Sequence, residues 1–220
     1  MDVRNIRIYE VDRTTSTNDL ARNLCGGNEE FVVVAGEQTG NGQGPIANLG
    51  GLYFTLCTRM EPLLDLKAAA AVAQTLDDLG VESSIQWPSM ITVDNKILCD
   101  IIMEQIGDKA LVAMAMNMEY SPGEKGTCIT MALGRPIQSK TMMNGILARM
   151  ELMDDVMDSY KQYTSVIGKR VAFESGGEKC TGKVENIDGE GNLVLQDGKR
   201  VRSAQVLPVR RRKVTSSPSP

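Results

Sequence analysis

The feature that most constrains the fold is a change of texture at Tyr163. Up to that point apolar strand candidates alternate with segments of helical spacing. Beyond it, Val166 to Leu207 is a series of short strand candidates, punctuated by Gly168, Gly176-Gly177, Gly182, Asp188-Gly189, Gly191 and Asp197-Gly198. Turn signals at such regular spacing suggest a small β-barrel, because each glycine or Asp-Gly pair permits the tight reversal that a short strand needs. Asp197-Gly198, between Leu193-Val194-Leu195 and Arg200-Val201, reads as a hairpin turn.

Within the first part, Ile6 to Val11 reads as a strand, and Ser16 or Thr17 can cap a short helix through Leu24 that stops at Gly26-Gly27. The continuous apolar run Phe31 to Ala35 predicts a buried strand. A Gly-rich loop from Gly40 to Gly51 joins it to a strand over Leu52 to Thr58. Apolar residues at helical spacing from Leu66 to Leu79 predict a helix ended by Gly80. Strands follow around Ser84 to Trp87, Leu98 to Gln105 and Ala110 to Met118. One long amphipathic helix is expected over Thr141 to Tyr160, with Ile146, Leu147, Met150, Met153, Val156 and Met157 on one face.

A chain of 220 residues that is 42% hydrophobic can bury a real core, as one domain or as a larger domain plus a small one. With aromatics at 4% and 13 methionines, much of the core volume must be aliphatic and thioether. A net charge of -4 gives no broad attraction for nucleic acid; the local exception is Arg210-Arg211-Arg212-Lys213 before a Ser/Pro tail, expected to be a disordered end. Histidine is absent, which removes Ser-His and Cys-His pairs and most zinc sites, so no metal ligands are assigned. The five cysteines stand singly and no secretory signal precedes them, which points to a reducing cytoplasm. No apolar run is long enough to span a bilayer.

Four short stretches carry the polar groups of interest. They are Thr15-Ser16-Thr17-Asn18, then Glu37-Gln38-Thr39-Gly40-Asn41-Gly42-Gln43-Gly44, then Gln86-Trp87-Pro88-Ser89, then Ala113 to Met118 with Asn117. Taken by themselves, Ser16, Thr17 and Asn18 suit either a helix cap or a ligand contact. The glycine-rich stretch suits either a flexible loop or a close backbone approach to phosphate. Lys96 is either a solvated lysine or a cation near Gln86.

In order and spacing these stretches resemble the motifs of the biotin protein ligases: a Ser-Thr-Asn turn, a Glu-Gln-Thr-Ala-Gly-Arg-Gly-Arg loop, Lys-Trp-Pro-Asn-Asp and a Gly-x-Gly-x-Asn strand. The resemblance runs from about residue 6 to 208, and Gly168-Lys169-Arg170-Val171 and Gly189-Glu190-Gly191-Asn192-Leu193 are similar to the family's SH3-like C-terminal domain. It implies an α+β fold, a mixed sheet with helices packed on one face, followed by a small SH3-like β-barrel. The expected division is a ligase-like domain over 1–163, a barrel over 164–209 and a tail over 210–220. The first motif begins at Thr15, so no DNA-reading module and no sequence-specific DNA binding are expected.

The family joins biotin and ATP, with magnesium, into biotinyl-5′-adenylate and passes biotin to a lysine of a carrier protein. The resemblance therefore implies biotin contacts from Ser16, Thr17, Asn18 and Gln38, and an adenylate loop at Thr39, Gly40, Asn41, Gly42 and Gln43, with Trp87 and Asn117 completing the ligand site. Gln86 and Lys96 stand as the catalytic candidates. Departures are as informative as matches. Gln86 replaces the family's lysine, both loop arginines are missing, Asp100 replaces a glycine, and Ala113 and Ala115 replace two more. A fixed cation stabilises a transferring phosphoryl group far better than an amide does. The implied function is thus a divergent ligase homologue with impaired or altered catalysis, acting on a biotin-carrier domain or another protein, and homodimeric as the family often is. The alternative is a non-enzymatic dimerising or partner-binding protein on the same scaffold. An acyl-thioester role for Cys99 ranks last, because no histidine exists to activate the thiol.

Overall fold

The computed structural model describes residues 5–27, 29–41, 46, 49–175, 177–201 and 206–207. Contacts divide the chain into two compact units, Met1–Ser165 and Val166–Pro220. In the first, strands β1 (Arg7–Thr14), β2 (Phe31–Gln38), β3 (Leu49–Arg59), β4 (Ser84–Gln86), β5 (Met90–Val93), β6 (Lys96–Ile106) and β7 (Lys109–Asn117) form one seven-stranded sheet in the order β1-β2-β3-β7-β6-β5-β4. Only β1 and β2 run parallel, joined by helix α1 (Thr17–Leu24); every other neighbour pair is antiparallel, so the sheet is mixed. A parallel pair needs a crossover longer than a hairpin, and α1 supplies it.

The register sorts side chains onto two faces. Val34 lies opposite Phe54 and Thr55 opposite Ala113, so Leu52, Phe54 and Leu56 point one way while Tyr53, Thr55 and Cys57 point the other. The first face is covered by α2 (Leu64–Asp78), α4 (Ser139–Leu152) and α5 (Val156–Tyr163), with α4 and α5 each packing on α2. Helix α2 buries Ala68 through Ala71 completely, as its run of alanines allows on a helix enclosed on several sides. Gly145 of α4 sits where a Cβ would come within 2.9 Å of Thr75 Cγ2, so the glycine sets how closely α4 approaches α2. On the second face α1 packs through Ala21 against Phe31, Val33, Cys57 and Leu111.

Two sequence expectations require correction. The single helix over Thr141 to Tyr160 is two helices, because Asp155 caps a new start by accepting the Asp158 N–H at 2.8 Å. In the second unit β8 (Arg170–Ser175), β9 (Glu178–Ile187), β10 (Leu193–Leu195), β11 (Arg200–Val201) and β12 (Val206–Leu207) form an antiparallel sheet in the order β11-β10-β9-β8-β12. Among the described residues this sheet is open rather than a closed barrel, while remaining consistent with an SH3-like domain. Short elements the sequence did not suggest are β5 and α3 (Ile129–Leu133). The basic run 210–213 lies outside the described residues. No helix among the described residues is long and apolar enough to cross a membrane.

Candidate ligand site

The second face of the sheet, beside α1, holds a cavity of about 440 Å3. Its wall comes from the β1–α1 turn (Thr15, Ser16) and the first turn of α1 (Thr17, Asn18), with Gln38, Gly40 and Ile46 beside them. Its floor comes from Asp100 and Ile102 of β6 and Ala113 and Ala115 of β7. Asp100 lies opposite Ala115 and Ile102 opposite Ala113, so the antiparallel register brings these four side chains to one face. The alanine methyl groups narrow the floor relative to glycine, yet the cavity stays open.

Hydrogen bonds fix the wall. Ser16 is the N-cap of α1, its hydroxyl accepting the Asp19 N–H at 3.2 Å. Ser16 therefore both caps the helix and lines the cavity. Thr17 is buried and donates both its N–H and its hydroxyl to Gln38 Oε1, at 2.9 and 3.1 Å. Thr55 donates in turn to Thr17 Oγ1 at 3.0 Å. Gly40 donates its N–H to Thr15 O at 2.9 Å, and a Cβ on Gly40 would fall 2.1 Å from that same oxygen. Only glycine fits there, because backbone cannot yield as a flexible side chain can.

Asn18 donates through Nδ2 to Glu104 Oε2 at 2.9 Å, and Arg22 donates to both oxygens of Glu104. A carboxylate accepts only, so the amide nitrogen must face Glu104, and Oδ1 is turned the other way. Asn18 Oδ1 is buried and has no hydrogen-bond partner among the described residues. Arg22 also pairs with Asp19, and Arg22 and Asn18 together hold the Glu104 carboxyl below the usual range. Burial pushes the Asp100 carboxyl up, partly offset by the Ile101 amide. None of the lining residues is cationic.

The other candidates lie elsewhere. Gln86 ends β4 opposite Met90 and is exposed; Lys96 begins β6 opposite Val93 and is exposed. Trp87 is buried beside a cis Trp87–Pro88 bond, and Tyr160 donates its hydroxyl to Pro88 O at 2.8 Å. Asn117 is buried at the end of β7, Nδ2 lying 3.5 Å from Ile97 O. Thr39 sits in a short helical turn over Thr39–Asn41 and donates to Thr14 O at 3.4 Å. None of these five lines the cavity. Gly42 and Gln43 lie outside the described residues, as does the side chain of Asn41. Sequence reasoning gave no role to Glu104, Thr55 or Arg22. The period-2 signal was present for Glu104, which follows Asp100 and Ile102 on one face of β6.

A parallel β1–β2 pair crossed by α1, within a seven-stranded mixed sheet, defines the class: this is the fold of the biotin protein ligases. It is similar to the ligase of Aquifex aeolicus in complex with biotin and ATP, at a TM-score of 0.72 and 19% identity over 91% of this chain and 97% of that one. It is also similar to the ligase of Leishmania major in complex with biotinyl-5-AMP, at a TM-score of 0.61 and 21% identity over 92% and 99%. Residues 166–214 match the family described as biotin protein ligase C terminal domain. In sequence the chain is 25% identical to the bifunctional ligase/repressor BirA of Bacillus subtilis, over 89% of this chain and 72% of that protein. The second unit thus matches that C-terminal domain, and the fold of the first is that of the biotin protein ligases.

Proposed function

We propose that the chain binds a biotinyl group in the α1–β6–β7 cavity and performs the family's adenylation and transfer at a much reduced rate. One observation carries this reading. The groups suited to a ureido ring, Thr17, Asn18, Gln38 and the Gly40 backbone, are assembled at the cavity, while its lining contains no cation. The segment from Gly40 to Leu52 contains no lysine or arginine either. The residues present suit a compact, polar, uncharged ring. They do not suit a triphosphate, whose charge calls for arginine, lysine or a metal clamp.

Two missing charge-assisted hydrogen bonds at about 1.5–3 kcal/mol each correspond to a slowing of roughly 150-fold to 25,000-fold. The test is transfer of biotin to a carrier-domain lysine with MgATP, run beside the B. subtilis ligase. Transfer slower by at least about 100-fold is expected, and an equal rate refutes the reading. In this reading the partner is a biotin-carrier domain and the setting is cytoplasmic, in keeping with five free cysteines.

A second reading, a dimerising or partner-binding scaffold, is favoured by β1, which forms one edge of the sheet and among the described residues pairs only with β2. An edge strand presents unpaired backbone groups to a second chain. Light scattering that gives a dimer, abolished by proline within Arg7–Thr14, supports it.

A further inference from the structure

We propose that Cys25 and Cys57 form a reversible modification site, at which a peroxide joins the two thiols into a disulfide that tethers the C-terminal end of α1 to β3. The site does not depend on the proposed biotinyl reading of the cavity. Cys25 is the C-cap of α1, and Cys57 lies in β3 opposite Phe31 of β2. Their Sγ atoms are 3.3 Å apart, although the residues are separated by 32 positions in the chain. Among the described residues no other cysteine pair makes a sulfur–sulfur contact. Cys99, Cys128 and Cys180 each direct Sγ at a backbone carbonyl, of Asp100, Glu119 and Glu178.

The two thiols differ in access. Cys25 is partly exposed, and Gly26 and Gly27 after it are exposed, each with nothing within 4 Å of where a Cβ would stand. Cys57 is completely buried among Ala21, Phe31, Val33 and Leu111. Burial, followed by the contact with Cys25, pushes its thiol up to about 12. A small oxidant therefore meets Cys25 first, and Cys57 reacts only with what has formed there.

The chemistry takes two steps. Hydrogen peroxide transfers an oxygen to Cys25 Sγ: the O–O bond breaks, an S–O bond forms, the sulfur gives up two electrons and one water leaves. Cys57 Sγ then attacks Cys25 Sγ, and the S–S bond forms as the S–O bond breaks. The departing hydroxide takes the Cys57 proton and leaves as a second water. A disulfide needs about 2.05 Å between sulfurs, so the pair closes by roughly 1.3 Å. Cytosolic disulfides are usually transient and redox-sensing, and thiol reductants return such a pair to two thiols by exchange. The consequence falls on α1. Its first turn is held through Thr17 and Gln38, and the tether fixes the other end of the same helix.

The test is peptide mapping of the full chain, reduced, freed of reductant and treated with a small excess of hydrogen peroxide. Remaining thiols are alkylated before digestion and mass spectrometry. The expected product is a Cys25–Cys57 cross-linked peptide that disappears on treatment with dithiothreitol. The oxidised chain should also melt roughly 5–10 °C above the reduced one, because the bond restricts the unfolded chain. In Cys25→Ser, Cys57 should remain a free thiol under the same treatment. Cys25 recovered as sulfenic or sulfinic acid with Cys57 still alkylated, or Cys25 joined to Cys180 or to a second chain, overturns the proposal. Oxidation of Cys57 in Cys25→Ser overturns the order of steps, and a linked chain that melts no higher overturns the tether. The peptide map of the wild-type chain decides the matter alone if the variant fails to fold.

Discussion

Thr17 presents both its backbone N–H and its hydroxyl to a single oxygen, Gln38 Oε1, at 2.9 and 3.1 Å. The contact spans two motifs that are 21 residues apart in sequence and ties the first turn of α1 to the end of β2. Removing the oxygen leaves two donors at a largely buried position. Gln38→Ala should therefore cost about 1–3 kcal/mol in chemical denaturation, and it should also abolish titration heat with any biotinyl ligand the wild-type chain binds. Loss of stability with ligand affinity unchanged would place Gln38 outside the site.

Glu104 ties α1 to β6 through Asn18 and Arg22. Its carboxyl is held low chiefly by the Arg22 hydrogen bond and then by Asn18. A carboxylate whose folded pKa lies below its unfolded one contributes stability that is present in full above the unfolded value, about 4.3. That contribution disappears as pH falls through the folded pKa. Thermal melts of wild type and Glu104→Gln should differ at pH 7 and converge as pH drops below about 4. A gap that is constant with pH would mean the charge is irrelevant to the tie.

The cysteines divide by accessibility. Cys57, Cys99 and Cys128 are buried, whereas Cys25 and Cys180 are partly exposed. Burial pushes the Cys57 thiol up to about 12, and burial likewise raises Cys99, with Asp100 adding to it. The thiolate is the reactive form. With an aromatic disulfide reagent at pH 8, Cys25 and Cys180 should react quickly and Cys99 and Cys128 only after unfolding. Rapid modification of Cys99 in the native chain would restore the acyl-thioester mechanism to consideration.

In the second unit Asp188 organises the turn between β9 and β10. Its side chain accepts from the Glu190 and Asn192 amides, both at 3.0 Å, and from the Asn192 side chain, and it pairs with Arg200. Burial opposes ionisation, but the Asn192 and Glu190 donors and Arg200 outweigh it and keep the carboxyl below its ordinary value. Asp188→Ala strands those donors and should cost about 1–3 kcal/mol. For wild type the contribution is complete above about pH 4 and lost as pH falls through the lowered pKa. Calorimetry of the full chain in which Asp188→Ala shifts no transition would refute the assignment.

Many of these elements are legible in the amino-acid sequence. The apolar run Phe31 to Ala35 had to be a buried strand and Gly80 had to end α2, because burial period and turn chemistry are local properties of the chain, and the ordered polar stretches carried the resemblance to the biotin protein ligases. The break between α4 and α5 was not legible: Met153, Val156 and Met157 continue the apolar period straight through it, and only the capping of Asp155 ends it. Nor could spacing say that Asp100 would share a cavity with Asn18 and Gln38 while Gln86, Lys96 and Asn117 would not. Which residues meet depends on the register of β6 against β7 and on the crossover of α1 onto one face of the sheet. Those are set by contacts between residues far apart in sequence. The sequence alone determined most of the elements, the family resemblance and the missing charges; the tertiary structure decided where α4 gives way to α5 and which of the remaining groups face one another, since strand pairing and helix packing are global choices that no local pattern encodes.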